Sequence, residues 1–239
     1  LSFNELVPAM RQSRLVQECT PAALGARDFA VRTFMDSKIQ GRQTLAVAGR
    51  SGGIAVLSMA WNGIRQTGPF DDNGWMAGSG RLLSCGGLFT LAAREQRADP
   101  ADTQVLPSVD VYRQDRLNRR FEVVQISDYH GRLFPLQVGN ELSFSYAFLL
   151  QEPSVPGPLI ERRDRLVRYR VLSANDAFRI DGAIVPGRVF LLEQIVSTAG
   201  GEAISTRDLY YSTVYGWVVM AVEYDNGMPG TVVQMTAGR

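Results

Sequence analysis

From Leu166 onward, apolar residues come in runs of strand length separated by turn residues. The runs are Leu166–Leu172, Val189–Val196, Ala203–Tyr211, Trp217–Tyr224 and Thr231–Met235. Between them lie Asn175-Asp176, Asp181-Gly182, Gly200-Gly201, Tyr215-Gly216 and Asp225-Asn226-Gly227. Asn, Asp and Gly tolerate the positive φ of tight reversals, while Val, Ile, Tyr, Phe and Thr suit a pleated, half-buried surface. The pattern predicts a β-meander. Just upstream, Leu142, Phe144, Tyr146 and Phe148 alternate, which makes one face of another strand bulky and apolar. Arg168 and Arg170 fall opposite Val167, Tyr169 and Val171, a polar-out and apolar-in strand that Glu193 can neutralise from a neighbour.

The N-terminal part has a different texture. Phe3, Leu6, Val7, Met10 and Leu15 approximate helical spacing, with Pro8 in the first turn or bending the element. Thr20 can cap a second helix and Pro21 suits its first position; Leu24, Phe29, Val31, Phe34 and Met35 then line one side as far as Lys38. Beyond Gly41 the chain turns to strands, at Thr44–Ala48 and Ile54–Trp61. Gly80–Ala93 reads as a buried strand broken by a bulge or close backbone approach at Gly86-Gly87, and Arg94–Pro107 as an exposed loop. Val109–Tyr112 and Phe121–Ile126 read as paired strands. Three prolines between Pro153 and Pro158 cannot sit inside a sheet. The expected fold is therefore mainly β (α+β): a curved antiparallel sheet, sandwich or open barrel, with one or two N-terminal helices. Its parts are residues 1–150, a proline-rich loop or linker at 151–159 and the meander at 160–239, unless the whole is one continuous domain.

Composition narrows the class. A chain of 239 residues that is 45% hydrophobic can build a sizeable core. No apolar run approaches the roughly 20 residues that cross a bilayer as a helix, so no transmembrane segment is expected. A net charge of +1 provides no global field for nucleic acid or acidic lipid, and no nucleic-acid partner is expected. Of the 25 basic residues only Lys38 is lysine, leaving 24 arginines spread along the chain, which reads first as a trace of a GC-rich genome. The chain opens on Leu1 rather than Met, which reads as a processed or trimmed product and favours export. Cys19 and Cys85 are either one disulfide or two buried thiols. With these and a single histidine, His130, no metal site of ordinary spacing is expected, nor any cofactor.

Several residues carry candidate chemistry. Gly49-Arg50-Ser51-Gly52-Gly53 fits the nucleophile-elbow spelling of serine hydrolases, with His130 as base and Asp110 or Asp128 as the acid. An elbow needs a helix after the serine, whereas Ile54-Ala55-Val56-Leu57 is β-prone, so a glycine-rich hairpin is the plainer reading. Arg116, Arg119 and Arg120 crowd a hairpin tip that would hold an anion or simply be solvated. Trp61, Phe70 and Trp75 would offer a platform to an apolar ligand or cover the sheet. Asp71-Asp72-Asn73-Gly74 lacks the closing glutamate of a calcium loop and reads as a polar turn.

Phe134-Pro135-Leu136, Val138-Gly139, the aromatic strand after them, a glycine-containing turn feeding a long strand, and Tyr210-Tyr211-Ser212 before Tyr215-Gly216-Trp217-Val218 form an ordered series. It resembles uncharacterised bacterial cell-envelope domains, secreted or periplasmic, over residues 133–227. The resemblance implies a twisted antiparallel sheet of successive hairpins and no catalytic residues. The functional expectation is a non-enzymatic exported bacterial protein, periplasmic or secreted. It would bind an apolar or envelope ligand, or a protein partner in the envelope, as an assembly or interaction module. The alternatives are the serine hydrolase and the anion-binding hairpin.

Overall fold

The computed structural model describes residues 27–35, 39–46, 55–61, 64–66, 80–94, 120–152 and 159–236. In chain order the strands are β1 (Arg27–Thr33), β2 (Ile39–Ala46), β3 (Ala55–Trp61), β4 (Ile64–Gln66), β5 (Gly80–Ser84), β6 (Phe89–Arg94), β7 (Arg120–Gly131), β8 (Glu141–Glu152), β9 (Leu159–Asn175), β10 (Arg179–Ile180), β11 (Ala183–Ile184), β12 (Val189–Thr198), β13 (Ala203–Ser212), β14 (Trp217–Asp225) and β15 (Met228–Met235). Thirteen form one sheet in the order β2-β1-β15-β14-β13-β12-β9-β8-β7-β6-β5-β3-β4. An additional β2–β3 pairing brings the two ends of that order together, and β10 and β11 make a separate hairpin. The pairings are antiparallel throughout. The molecule is thus mainly β, a curved antiparallel sheet as the hydrophobic pattern predicts.

The meander follows from its turns. Ile180 faces Ala183 and Asp225 faces Met228, so each hairpin closes over two residues. Those residues, Asp181-Gly182 and Asn226-Gly227, all have positive φ (49° and 81°, 49° and 78°). Two consecutive left-handed residues match the right-handed twist of the flanking strands. The long strands β8 and β9 pair from Glu141 with Arg170 to Glu152 with Leu159, on either side of residues 153–158.

Two expectations are corrected. Arg27–Thr33, the second half of the helix expected over 20–38, is strand β1. It pairs with the C-terminal strand, Phe29 facing Met235 and Thr33 facing Thr231, a long-range contact that no local signal encodes. Gly80–Ala93 is two strands of a hairpin rather than one strand, because Cys85, Gly86 and Gly87 take φ of 53°, 64° and 88° and reverse the chain. The close backbone approach expected there is present: a Cβ on Gly86 would lie 2.1 Å from the carbonyl oxygen of Gly216.

One face of the sheet, here the inner face, carries the main core. Leu142, Phe144, Tyr146 and Phe148 of β8, Val167, Tyr169 and Val171 of β9, Leu192 of β12 and Leu209 of β13 meet Leu88 and Phe89 from the β5–β6 hairpin and Leu133 and Phe134 from the loop after β7. The bulky alternation of β8 is what fills it. Phe89 stands edge-on to Phe144 and to Tyr146, with centroids 5.2 and 5.1 Å apart, the arrangement aromatic quadrupoles favour. A second cluster joins Ile180 and Val185, beside the β10–β11 hairpin, to Val189, Trp217, Val219, Phe29 and Met235. Gln234 ties that hairpin down by donating to both carboxylate oxygens of Asp181 at 3.0 and 2.9 Å.

Candidate functional site

The alternation of β9 sends Arg168 and Arg170 outward, and Glu193 of β12 sits in register with Arg170 and pairs with it at 3.2 Å. The same alternation, followed two and four residues back from Val167, puts Arg165 and Arg163 on the inner face. Tyr146 of β8 faces Arg165, and Gln194 of β12 faces both Tyr169 and Arg207 of β13. Along this face the aromatic core gives way to a polar end at Arg165 and Arg163, while Arg207 stays in the row of Gln194 and Tyr169, four residues back from Arg165 along the sheet. The five arginines from Arg162 to Arg170 read as one ionic stretch; only the odd-even count, carried through the whole strand, separates Arg163 and Arg165 from their neighbours.

A buried relay leads from the core to Arg207. The Tyr169 hydroxyl, fully enclosed, donates to the carbonyl oxygen of Leu88 at 2.8 Å. Gln194 Nε2 donates to the same carbonyl at 3.0 Å and to the Tyr169 oxygen at 2.8 Å. Its Oε1 accepts from Nε of Arg207 at 2.8 Å. Burial holds the Tyr169 phenol well above the usual tyrosine range, and the Gln194 hydrogen bond and the Arg207 charge only partly oppose it. Every polar atom of the Gln194 side chain thus has a task, which is how a buried amide escapes its desolvation cost.

Next to the relay lies Tyr146. Burial raises its phenol too, and the positive charges of Arg165 and Arg207 only partly oppose that rise. Arg165 rests over the Phe148 ring, 5.4 Å from its centroid, and donates to the backbone oxygen of Asp164 at 2.9 Å. Among the described residues neither Arg165 nor Arg207 is in an ion pair, although Glu223 faces Arg207 across β13 and β14. Arg163, by contrast, is held by Glu161 at 2.6 Å.

The residues singled out from sequence do not gather here. Ser51, Asp110, Phe70, Trp75, Arg116, Arg119, Cys19 and the Asp71–Gly74 turn lie outside the described residues. Trp61 closes β3 and Arg120 opens β7. His130 and Asp128 are exposed on β7, where the strand's register shifts between Ser127 and His130, with Asp128 at a φ of 55°. Asp128 accepts a hydrogen bond from the Ser127 hydroxyl at 3.0 Å. Strand β3, rather than a helix, begins at Ala55 after Ser51. Cys85 is disulfide-bonded at the β5–β6 tip. No helix among the described residues is long and apolar enough to cross a membrane, which leaves strands unaddressed.

No protein-family model matches the chain, and neither does any curated protein. Two solved chains match it. One is the hypothetical lipoprotein YmcC of Escherichia coli K12, at 7% sequence identity and a TM-score of 0.45, over 99% of this chain and 95% of that one. A likeness at that level carries nothing about function from one chain to the other.

Proposed function

We propose that the chain is an exported, non-enzymatic binding protein of the bacterial envelope that takes its ligand at the polar end of the inner face. The observation that carries this reading is the change along that face from closed packing to polar side chains whose donors lack acceptors among the described residues. Phe144, Tyr169, Leu192 and Leu209 are at most 1% exposed and are satisfied by one another, so an apolar ligand has no lining there. Two residues beyond Phe144 and Val167 on the same face, Tyr146 and Arg165 stand in register, and the Arg165 guanidinium has no carboxylate partner among the described residues. The disulfide at Cys85 supports export, since such bonds persist in oxidising compartments. We also read the chain as one continuous domain, because β8 and β9 pair along their length on either side of residues 153–158.

The test is fractionation of the source cells, alkylation of thiols before and after reduction, and native mass spectrometry of the purified chain. The expected result is an extracytoplasmic protein whose Cys85 reacts only after reduction and which carries a co-purifying molecule. A bare chain with reduced cysteines in the cytoplasmic fraction would refute it.

A further inference from the structure

We propose that His130, Ser143 and Arg168, aligned across the outer face of β7, β8 and β9, form a site that takes a phosphate group. It lies on the opposite face of the sheet from the ligand end proposed above, so each of the two stands or falls alone.

The strand register brings the three residues together. Ser143 stands directly opposite His130 on one side and directly opposite Arg168 on the other. Directly opposed side chains in a sheet have Cβ atoms about 4.5–5.5 Å apart, so an imidazole and a guanidinium flank one hydroxyl. Leu142, Phe144, Val167 and Tyr169, their neighbours along the strands, are buried on the inner face, while His130 and Arg168 are exposed and Ser143 is half-buried.

The backbone is shaped to present His130. Between Ser127, opposite Ser145, and His130, opposite Ser143, β7 advances three residues while β8 advances two. Asp128 lies within that bulge at a left-handed φ of 55°. Plain alternation from Ser127 would send Tyr129 outward and His130 inward. The bulge instead packs Tyr129 on Phe144, with ring centroids 5.4 Å apart, and re-aims His130 outward.

The charges single out Arg168. Arg170 stands between Glu141 and Glu193 and pairs with Glu193 at 3.2 Å; Arg162 lies 3.8 Å from Asp164, and Arg163 lies 2.6 Å from Glu161. Arg168 stands instead between Ser143 and Ile195. Among the described residues His130, Ser143 and Arg168 have no side-chain hydrogen bond or ion pair. A guanidinium fork, a hydroxyl and a ring N–H are all donors, and the fork matches phosphate oxygens. Ser145, diagonal to Arg168, adds a second hydroxyl. The acids on these strands nearest the site are Asp128 and Glu141, and Glu141 faces Arg170.

An NMR titration of the full chain at low ionic strength tests this, with inorganic phosphate and vesicles of phosphatidylglycerol or phosphatidylcholine as probes. Saturable shifts at His130, Ser143 and Arg168 are expected on adding phosphate. Arg168→Gln should weaken binding about tenfold and Ser143→Ala about two- to tenfold. Arg162→Gln, which removes another arginine from the same strand and face, should leave it unchanged. Asp128→Asn deletes an acid but keeps a residue that tolerates positive φ, and should tighten binding by about two- to threefold. That gain cannot come from misfolding. Binding to phosphatidylglycerol but not phosphatidylcholine, with the same Arg168 dependence, would assign the phosphate to a lipid headgroup; phosphate binding without vesicle binding would assign it to a soluble ligand. No saturable shift with either phosphate source, or equal weakening in Arg162→Gln, would overturn the site.

Discussion

The β5–β6 hairpin tip is the place where a single added carbon separates steric from conformational cost. At Gly86 the backbone has φ +64°, and a Cβ would meet the Gly216 carbonyl oxygen at 2.1 Å and Tyr211 Cε2 at 2.9 Å. At Gly182 the φ is +81° with nothing within 4 Å. Alanine at either site pays the left-handed penalty of about 1–2 kcal/mol. Only at Gly86 must two backbone segments also move apart by about 1 Å, which overpacking data place at a further 1–3 kcal/mol or so. Gly86→Ala should therefore cost about 2–5 kcal/mol, against roughly 5–15 for a typical domain.

Urea unfolding followed by tryptophan fluorescence reads this directly, because the Trp217 ring lies 3.3 Å from where a Cβ on Gly87 would sit. With a slope of roughly 2 kcal/mol/M, the midpoint of Gly86→Ala should fall by about 1–2.5 M and that of Gly182→Ala by about 0.5–1 M. Equal shifts in the two variants would show that the tip is not wedged against Gly216, and the packing argument for the inner face would fail with it.

Three further outcomes follow from buried polar groups and one exposed pair. Tyr169→Phe, which keeps the ring but deletes the donor to Leu88, should destabilise by about 1–2 kcal/mol; Tyr211→Phe, which removes an enclosed hydroxyl that has no partner among the described residues, should be neutral or stabilising in the same urea assay. Burial pushes the Tyr211 phenol up to about 12, above the roughly 10 of an unfolded chain, so its contribution is whole below pH 10 and is lost as pH climbs toward 12. The decline of the urea midpoint over that window should be shallower in Tyr211→Phe, and an identical slope would contradict the assignment. A double-mutant cycle on Arg170 and Glu193 should return a coupling of only about 0.2–1 kcal/mol, as for other solvent-facing cross-strand pairs, shrinking at high salt.

What was legible in the sequence tracks the range of the interactions that decide it. Asp181-Gly182 and Asn226-Gly227 announce their hairpins because the φ requirement lies within the two residues themselves, and the runs between such turns became β12 to β15 with their starts or ends shifted by at most a few residues. Residues 27–33 misled because Thr20 and Pro21 are good helix-start signals. The alternation of Phe29, Val31 and Thr33 gains its meaning only from β15, at the far end of the chain. Cys85-Gly86-Gly87 marked a break correctly, but whether the chain bulges or reverses depends on Gly216 and Trp217. The polar end of the inner face was missed for another reason: clustered arginines suggest a solvated surface, while alternation assigns them to faces one at a time. Arg207 had no local signal, since its role follows from Gln194 one strand away and from a carbonyl at the hairpin tip.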